Sequence, residues 1–319
     1  MNRVGIEGKG ESIWVAWFQI CGLSRFAELA SAHGDPAYAQ QCLTRAAQLR
    51  DAVETHGYDG SWYRRAYFDD GTPLGSHTNE ACQIDSIAQS WAVLSAMADP
   101  ERTNLAMNEV MQRLVHPDKQ LVQLFTPPFD TGPLEPGYIK GYLPGIRENG
   151  GQYTHAACWV VQALIRMGRT QEAWQVYEMI SPISLTQDSE AVQNYRGEPY
   201  VIAADVYDHP QHVGHVGWTW YTGSASWYYR VGLEEILGFR LRGNRLQMVP
   251  AIPSHWHSFR ITYRYRDNTV YHIHVDRSAK STNVLQLDGR PVDDDWITLV
   301  DDGLEHQIIL GNSINENAA

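Results

Sequence analysis

The hydrophobic periodicity of this 319-residue chain changes at Gly238, and this change constrains the fold more than any other feature. Before Gly238, apolar residues recur with helical spacing; after it, they alternate along short strands. The predicted helices come in pairs, at 12–33 with 36–55, 84–97 with 100–115, and 156–167 with 170–180, before a final helix at 221–237. Irregular stretches rich in Gly, Pro and aromatic residues fill alternate connections, at 58–76, 121–145 and 181–218. This pattern predicts an α/α toroid whose loops gather at one end and build a site.

The residues after Gly238 predict a small antiparallel β-sandwich. Ser258–Tyr265 alternates apolar and polar side chains, as a strand with one buried face does. Tight-turn pairs such as Gly243-Asn244 separate it from further short strands, one of them at 283–287. We therefore predict three parts, listed here by residue number: an α/α barrel portion over 1–237, a β-sandwich over 238–311 and a frayed tail over 312–319.

Charge and cysteine usage exclude several classes of protein. The formal net charge of −12 argues against nucleic acid and anionic membranes as partners. No apolar run approaches the roughly 20 residues of a membrane span, and the N-terminal residues lack the apolar core of a signal peptide. The four cysteines are scattered without a CxxC pair, which predicts buried free thiols in a cytoplasmic protein. The 11 Trp and 17 Tyr exceed what packing needs, and aromatic faces bind sugar rings, although a Trp more often belongs to a core.

The stretch from Gly141 to His155 predicts an anion site at the start of a helix. Gly and Pro residues open it as a surface loop, and Arg147, Glu148 and Asn149 then stand side by side before the central apolar run. A helix start offers unpaired N–H groups and a partial positive charge, and His155 in the first turn is able to donate to an anion. The alternative is a glycine-rich turn before a core helix.

A second glycine-containing helix start follows at Thr222-Gly223-Ser224. Its hydroxyls and N–H groups are suited to phosphate oxygens, because Gly223 has no Cβ to obstruct their approach. The alternative is an ordinary helix cap. The three histidines His209, His212 and His215 have a spacing that metal sites also use, but Pro210 and Gly214 prevent one regular helix from presenting them all. We therefore predict a polar cleft loop there and no metal.

Several motifs together resemble the inverting β-glucoside phosphorylases of glycoside hydrolase family 94. Those motifs are Gly137-Tyr-Ile-Lys-Gly-Tyr142, Glu148-Asn-Gly-Gly-Gln-Tyr-Thr-His155, Glu198-Pro-Tyr200 and Trp218-Thr-Trp-Tyr-Thr-Gly-Ser-Ala225. Leu124-Phe-Thr-Pro-Pro-Phe-Asp130 and Asp85-Ser-Ile-Ala-Gln-Ser-Trp91 are most similar to the C-terminal phosphorylase-like region of cyclic β-1,2-glucan synthases. The similarity runs from Met1 to about Gly311.

The resemblance implies an (α/α)6 barrel followed by a β-sandwich, and reversible phosphorolysis of a β-glucosidic bond that gives α-glucose 1-phosphate. By position, it implies that His155, Thr222 and Gly223 bind phosphate. It implies that Tyr142, Arg147 and Glu148 face the sugar leaving group. The expected partners are a β-linked gluco-oligosaccharide and inorganic phosphate as co-substrate, with no cofactor. The linkage is not predicted, because the family shares these motifs across several linkages.

The same resemblance places the general acid in an Asp-Trp-Asn-Asp-Gly segment directly before Met1. We therefore expect a chain truncated at its N-terminus, with an incomplete toroid that lacks its first helices and little activity of its own. Apolar helix faces left open in this way predict self-association, such as a homodimer. Two alternatives remain, a catalytically dead carbohydrate-binding or structural remnant and an α/α-barrel glycoside hydrolase that uses water.

Overall fold

The computed structural model describes residues 1–277 and 284–311, which form two compact units that divide between Tyr228 and Tyr229. The predicted domain boundary at Gly238 lies within the second unit. The start of the predicted strand at 283–287 and the predicted tail at 312–319 lie outside the described residues.

Helices dominate the first unit. Their bounds are α1 Ile13–Ala32, α2 Pro36–His56, α3 Ser86–Leu94, α4 Pro100–Arg113, α5 Thr154–Arg166, α6 Thr170–Met179, α7 Ser189–Tyr195 and α8 Ser224–Arg230. Consecutive helices pack in pairs, α1 on α2, α3 on α4 and α5 on α6, and small buried side chains such as Ala30 and Ala39 let α1 and α2 approach closely. Asp35 and Asp99 cap α2 and α4 by accepting a backbone N–H, with a proline in the first turn of each. In the described residues, no helix is long and apolar enough to cross a membrane.

Short strands occupy the connections between the helices. They are β1 Glu11–Ser12, β2 Ala66–Tyr67, β3 Pro73–Leu74, β4 Ile84–Asp85, β5 Val115–His116, β6 Leu121–Val122, β7 Phe125–Thr126, β8 Gln152–Tyr153 and β9 Asp205–Val206. Three of them lead directly into a helix: β1, which precedes the first helix, into α1, β4 into α3 and β8 into α5. The alternate connections are therefore ordered structure, as the sequence predicted, and they fix where the helices begin.

Two helix predictions need correction. The predicted irregular stretch 181–218 contains α7, which begins where Asp188 accepts backbone N–H groups from Glu190 and Ala191. The predicted helix at 221–237 begins only at Ser224, because Tyr221 has a φ of 58°, in the left-handed region that a helix excludes. It also changes after Arg230 into a π-helix over Val231–Ile236.

Within its described residues, the second unit contains two sheets. Its strands are β10 Phe239–Arg242, β11 Arg245–Met248, β12 Ser258–Tyr265, β13 Thr269–Asp276, β14 Val284–Leu287, β15 Arg290–Pro291, β16 Trp296–Thr298 and β17 Glu305–Gly311. The three-stranded sheet has the order β10-β11-β16, and the five-stranded sheet has the order β12-β13-β17-β14-β15. Buried side chains of both sheets join in one core, among them Leu246, Tyr271 and Ile308.

The prediction of a wholly antiparallel arrangement is wrong at one pairing. Strand β13 runs parallel to β17, with Val270 opposite Glu305 and Asp276 opposite Gly311. Parallel neighbours need a long crossover, and the segment containing β14, β15 and β16 supplies it. Alternation of side chains gives the same signal for either direction, so the sequence pattern did not reveal the parallel pair.

Candidate active site

Asn149 fixes the loop that precedes α5. Its side chain is fully buried and makes three hydrogen bonds to backbone groups. The amide oxygen accepts the Phe129 N–H at 2.7 Å, and the amide nitrogen donates to the carbonyls of Phe129 and Tyr142, each at 2.8 Å. A buried amide satisfied in this way holds two chain segments in one arrangement. It therefore positions Tyr142, one of the residues predicted to face a sugar.

Arg147 lies at the tip of this loop. Its φ of 50° is left-handed, and Gly151 allows the close return of the chain, since a Cβ there would lie 2.7 Å from the Arg147 carbonyl oxygen. The guanidinium carbon lies 5.5 Å from the ring centre of Tyr142 and 5.8 Å from that of Trp218. A hydrogen bond with Tyr142 raises the pKa of Arg147. The cation is thus held between two aromatic rings, a geometry that retains its charge and its N–H donors.

Glu148 presents a carboxylate oxygen that is buried but not hydrogen-bonded. Its Oε2 has no partner among the residues that the structure describes. Burial, and after it the charge of Glu148, raise the pKa values of the Tyr138 and Tyr153 hydroxyls, so these three side chains lie near one another. A buried carboxylate oxygen without a partner is costly unless a ligand or water supplies a donor. Sugar hydroxyls are donors of that kind.

His155 stands in the first turn of α5 among aromatic rings. Its ring centre lies 4.7 Å from that of Trp159, 5.6 Å from that of Trp227 and 5.7 Å from that of Tyr153, on which it stacks. Burial lowers the pKa of His155 below the ordinary value of 6.5. At neutral pH the imidazole is therefore uncharged, and it offers one N–H donor and one acceptor nitrogen.

The second glycine-containing helix start meets the first at this histidine. A Cβ built on Gly223 would lie 3.4 Å from His155 Cε1 and 3.7 Å from its Nδ1. The Thr222 hydroxyl donates to Ser224 Oγ at 2.8 Å and accepts the Ser224 N–H at 3.1 Å. The hydroxyl thus serves as a local cap, while Gly223 is solvent-exposed and leaves open space beside the imidazole. The groups predicted to bind phosphate are brought together.

A short backbone ladder explains why residues so distant in sequence converge. Strand β9 pairs with β8 on one side, placing Asp205 opposite Tyr153. On its other side Ala204 N–H donates to the Trp218 carbonyl at 2.6 Å, and Val206 bridges to Val216. The segment before α5 and the segment before α8 are therefore hydrogen-bonded to one central strand.

Asp205, on that central strand, was not among the predicted site residues. It is 4% exposed, and its Oδ1 accepts the Trp218 N–H at 2.9 Å. Its Oδ2 has no hydrogen-bond partner in the described part of the chain, and a Cβ on Gly217 would lie only 2.1 Å from it. Burial raises the pKa of Asp205, whereas the charge of Arg147 lowers it. An isolated Asp in the apolar run Ala203–Val206 is the signal that would have found it.

Other residues noted in the sequence have different surroundings. Glu198 accepts a hydrogen bond from Trp220 Nε1 at 3.4 Å, on the exposed surface. The rings of His209 and His212 stack with centres 5.6 Å apart, and those of His212 and His215 lie 5.1 Å apart. Within residues 1–277 and 284–311, no group of three His, Cys, Asp or Glu side chains is arranged to hold a metal ion.

Comparison with known proteins places this arrangement in a family. The model of the glycosyl hydrolase 94 superfamily catalytic domain matches residues 1–238. The chain belongs to this superfamily. The match covers every residue predicted to bind phosphate or sugar, and it confirms the resemblance found in the sequence motifs.

Curated relatives of this glycosyl hydrolase 94 chain include a synthase and several phosphorylases. It is 49% identical, over 88% of its length, to the cyclic β-(1,2)-glucan synthase NdvB of Rhizobium meliloti (strain 1021). It is 31% identical over 97% of its length to the solabiose phosphorylase of Paenibacillus borealis, and 30% identical over 89% to the N,N′-diacetylchitobiose phosphorylase of Vibrio proteolyticus. The matched regions span 10%, 40% and 36% of those relatives, respectively.

Solved structures show the same fold at low sequence identity. The match to a sialidase covers 79% of this chain and 22% of that protein, with a TM-score of 0.54 and 14% sequence identity. The GH78 family rhamnosidase of Bacillus sp. GL1 matches 93% of the chain with a TM-score of 0.50 and 13% identity, over 27% of that protein. At these identities the likeness concerns the fold alone.

Proposed function

We propose that this chain carries the phosphate and sugar sites of an inverting β-glucan phosphorylase, the kind of site that a cyclic β-1,2-glucan synthase would also contain. Phosphate binds beside His155, Thr222 and Gly223, and the sugar leaving group binds against Tyr142, Arg147 and Glu148. The single observation that carries the proposal is the approach of Gly223 to His155, which brings two sets of hydrogen-bond donors to one place.

The chemistry suits these residue types. An inverting hydrolase needs one carboxylic acid for the leaving oxygen and a second carboxylate to activate water. A phosphorylase dispenses with the second, because phosphate is already an anionic nucleophile that only needs to be held in line with the anomeric carbon. A neutral imidazole and a backbone N–H provide such a cradle without a competing negative charge, and the Thr222 hydroxyl joins it by turning its O–H from Ser224 Oγ to the phosphate.

In this proposal the reaction transfers a glucosyl unit from a β-linked gluco-oligosaccharide to phosphate. The β-glucosidic bond breaks, the leaving oxygen takes a proton from a general acid, and a phosphate oxygen forms the new bond with inversion, giving α-glucose 1-phosphate. No cofactor is required. The acid is the first Asp of the Asp-Trp-Asn-Asp-Gly segment that the family resemblance implies, and the 319 residues contain no such segment. In this proposal the chain by itself binds its ligands without steady turnover.

Two architectural proposals accompany this function. The helix pairs form part of an (α/α) toroid, and the second unit is a β-sandwich.

Several apolar side chains of α1 are about half exposed, namely Val15, Phe18, Phe26 and Leu29. Exposed apolar side chains on one helix favour association with another surface, and a homodimer would cover them.

Isothermal titration calorimetry with inorganic phosphate tests the proposed function. We expect saturable binding to the 319-residue chain and a loss of about tenfold or more in affinity for His155→Ala. His116→Ala is the matched control, because His116 is also half-buried in the first unit but bonds to Gln123, and its phosphate affinity should stay within about twofold of the unsubstituted chain. Equal affinities in both variants would contradict the assignment.

An assay of the same chain with β-linked gluco-oligosaccharides separates the alternatives. We expect sugar binding and no steady release of glucose 1-phosphate. Release of free glucose without phosphate would favour a hydrolase, and sugar binding without any phosphate binding would favour a carbohydrate-binding remnant. Sustained phosphate-dependent release of glucose 1-phosphate would show that the acid lies within these residues.

A further inference from the structure

A groove with an apolar floor lies in the helical unit where α4 and α6 end. Its first cavity has a volume of about 490 Å³, and its floor consists of Met111, Val115, Val176 and Met179. A second cavity of about 400 Å³ continues it, because Gln120 and Ser184 line both cavities. We call the two joined cavities the methionine groove. A groove of this size has room for several side chains of a partner or for a small ligand.

The methionine groove is separate from the proposed phosphate and sugar site. None of the residues assigned to phosphate or sugar, all of which the structure describes, lines either cavity. Val206 lines the second cavity, whereas Asp205 before it accepts the Trp218 N–H. Neighbouring residues of a strand point to opposite faces, so the groove lies behind the ladder that carries the site. The occupant of the groove therefore has to be inferred from the chemistry of the groove itself.

The floor of the methionine groove suits apolar side chains better than sugar rings. Val115 is 7% exposed, Val176 1% and Met179 6%, so the floor is buried in the free chain, and Met111 borders it half-buried. Unbranched Met side chains adapt to partners of different shape, which makes them common on adaptable binding surfaces. Among the described residues that line the first cavity, none is aromatic, so a sugar ring has no aromatic face to pack on there.

Carboxylates at the rim of the groove give it a negative charge. Glu178 lines the first cavity and Asp118 the second, and both are exposed. Neither carboxylate forms an ion pair or a hydrogen bond within residues 1–277 and 284–311. Lys119 also lines the second cavity, but its Nζ is bonded to the two carboxylate oxygens of Asp208 at 2.8 Å and 3.1 Å, which balances its charge. The whole chain has a formal net charge of −12, so the groove attracts a basic partner and repels an acidic one.

We propose that the methionine groove binds a basic amphipathic helix of a partner protein. Apolar side chains along one face of that helix enter the two cavities, and Lys or Arg side chains beside them pair with Glu178 and Asp118. A helix presents such anchors at positions i, i+3, i+4 and i+7, which suits two adjoining cavities. An added strand would find little backbone to pair with, because the bordering strand β5 has only two residues, Val115 and His116. This proposal does not depend on the proposed function.

Fluorescence anisotropy with labelled peptides tests this proposal. The probe is a peptide of about 18 residues with Leu at helical spacing and Lys at the remaining positions, and a second peptide has Glu in place of every Lys. We expect saturable binding of the Lys peptide to the 319-residue chain, and binding of the Glu peptide that is about tenfold weaker or more. Equal affinities for the two peptides, or no binding of the Lys peptide, would overturn the proposal.

A pair of charge variants distinguishes the groove from general attraction by an acidic protein. Glu178→Gln should weaken binding of the Lys peptide about threefold or more. Glu101→Gln is the matched control, because Glu101 is exposed in the first turn of α4, at the opposite end of that helix from Met111, and its substitution removes the same charge. Its affinity should stay within about 1.5-fold of the unsubstituted chain. Equal effects of the two substitutions would reject the groove as the binding site.

Substitutions at Met111 test the apolar floor. Met111→Lys places a positive charge where the apolar anchors enter, so we expect the Lys peptide to bind about tenfold more weakly or worse, whereas Met111→Leu should stay within about twofold. Circular dichroism shows whether Met111→Lys is folded; if it is not, the charge variants decide. Unchanged binding in a folded Met111→Lys chain would contradict the proposal. Light scattering that shows a dimer dissociated by Met111→Lys would assign the groove to a second copy of the chain and overturn the proposal.

Discussion

Two histidines, one in each unit, show how differently the two regions treat a titratable side chain. His155 in the helical unit lies among the rings of Tyr153, Trp159 and Trp227, and burial lowers its pKa. His306 in the β unit is buried against Tyr271, but its Nδ1 contacts Asp288 at 2.7 Å and its Nε2 contacts Asp302 at 3.1 Å. Those two carboxylates raise its pKa.

This difference between the two histidines indicates which of them belongs to a ligand site. At His306 the chain supplies a partner for both ring nitrogens, so the side chain contributes to structure. In the loop, strand and helix that carry the proposed site, three buried polar atoms have no partner within the described residues, namely Glu148 Oε2, Asp205 Oδ2 and Trp159 Nε1. Polar groups left unpaired in this way cost stability unless a ligand or water completes them. The helical unit therefore carries the ligand site in our account.

The largest expected effect comes from Gly217→Ala. The new Cβ would lie 2.1 Å from Asp205 Oδ2, so the central strand of the ladder has to shift. We expect the free energy of unfolding of the helical unit to fall by about 3 kcal/mol and phosphate binding to be lost. The NMR signals of His306 in the β unit should be unchanged. Gly22→Ala is the control, because Gly22 lies in α1 with no atom within 4 Å of its added Cβ.

Chemical denaturation monitored by circular dichroism checks this prediction. A Gly217→Ala chain that is as stable as Gly22→Ala would mean that the ladder tolerates displacement. In that case Asp205 would not determine the position of the two helix starts.

Gly223→Val is expected to act on binding with little effect on stability. Gly223 is exposed and has an ordinary φ, so the backbone accepts a side chain, but the added methyl groups would occupy the space beside His155. We expect phosphate affinity to fall about 100-fold for Val and about tenfold for Ala, with less than about 1 kcal/mol change in unfolding free energy. Calorimetry measures the phosphate affinity, and chemical denaturation measures the unfolding free energy. Unchanged phosphate affinity in Gly223→Val would place the anion elsewhere.

Asp205→Asn should separate the structural and the functional side of that residue. Burial raises the Asp205 pKa, so the charged form destabilises the fold as pH rises from the ordinary value of 3.8 through the raised pKa. Asparagine keeps an oxygen for the Trp218 N–H and removes the charge. We therefore expect a gain of about 1 kcal/mol in stability at neutral pH and weaker sugar binding, whereas Asp205→Ala should lose stability. Denaturation at neutral pH measures the stability of each variant, and a sugar titration measures its binding. An Asp205→Asn variant that is less stable than the unsubstituted chain would contradict this prediction.

The smallest expected effects are the opposite pH dependences of the two histidines. The lowered pKa of His155 gives stability that is present above pH 6.5 and lost as pH falls below it. The raised pKa of His306 gives stability that is present below pH 6.5 and lost as pH rises through its folded-state value. The substitution His155→Gln should therefore reduce the loss of unfolding free energy at acid pH. The substitution His306→Gln should reduce its loss at alkaline pH. Denaturation at about pH 5 and about pH 8 measures this, and slopes of equal sign would contradict the comparison.

The sequence predicted much of the helical unit because its signals are local. Helical periodicity places α1, α2 and α4 within a few residues of their observed bounds, and the structure adds an Asp cap and a first-turn Pro to α2 and α4. Long-range pairing was harder. The parallel alignment of β13 with β17 and the late start of α8 depend on chain direction and on the left-handed Tyr221, neither of which periodicity records.

The prediction of the site divides in the same way, into local signals that the sequence carries and long-range pairings that it does not. Residues within the two glycine-containing motifs could be proposed from the sequence because each motif has its own local chemistry, and the family resemblance then implied their roles. Asp205 was missed because its setting is created by pairing with Tyr153, its hydrogen bond from Trp218 and the absence of a side chain on Gly217. A single charged residue in an apolar strand is a weak signal until the partner strands are known.

The most direct test of the central claim is an NMR titration of the His155 Cε1 proton with and without phosphate. We predict a pKa below 6.5 in the free protein and a clear rise when phosphate binds, because a nearby anion favours the charged imidazole, with His306 unaffected. The rise should be absent in Gly223→Val. A His155 titration that does not respond to saturating phosphate would contradict the account.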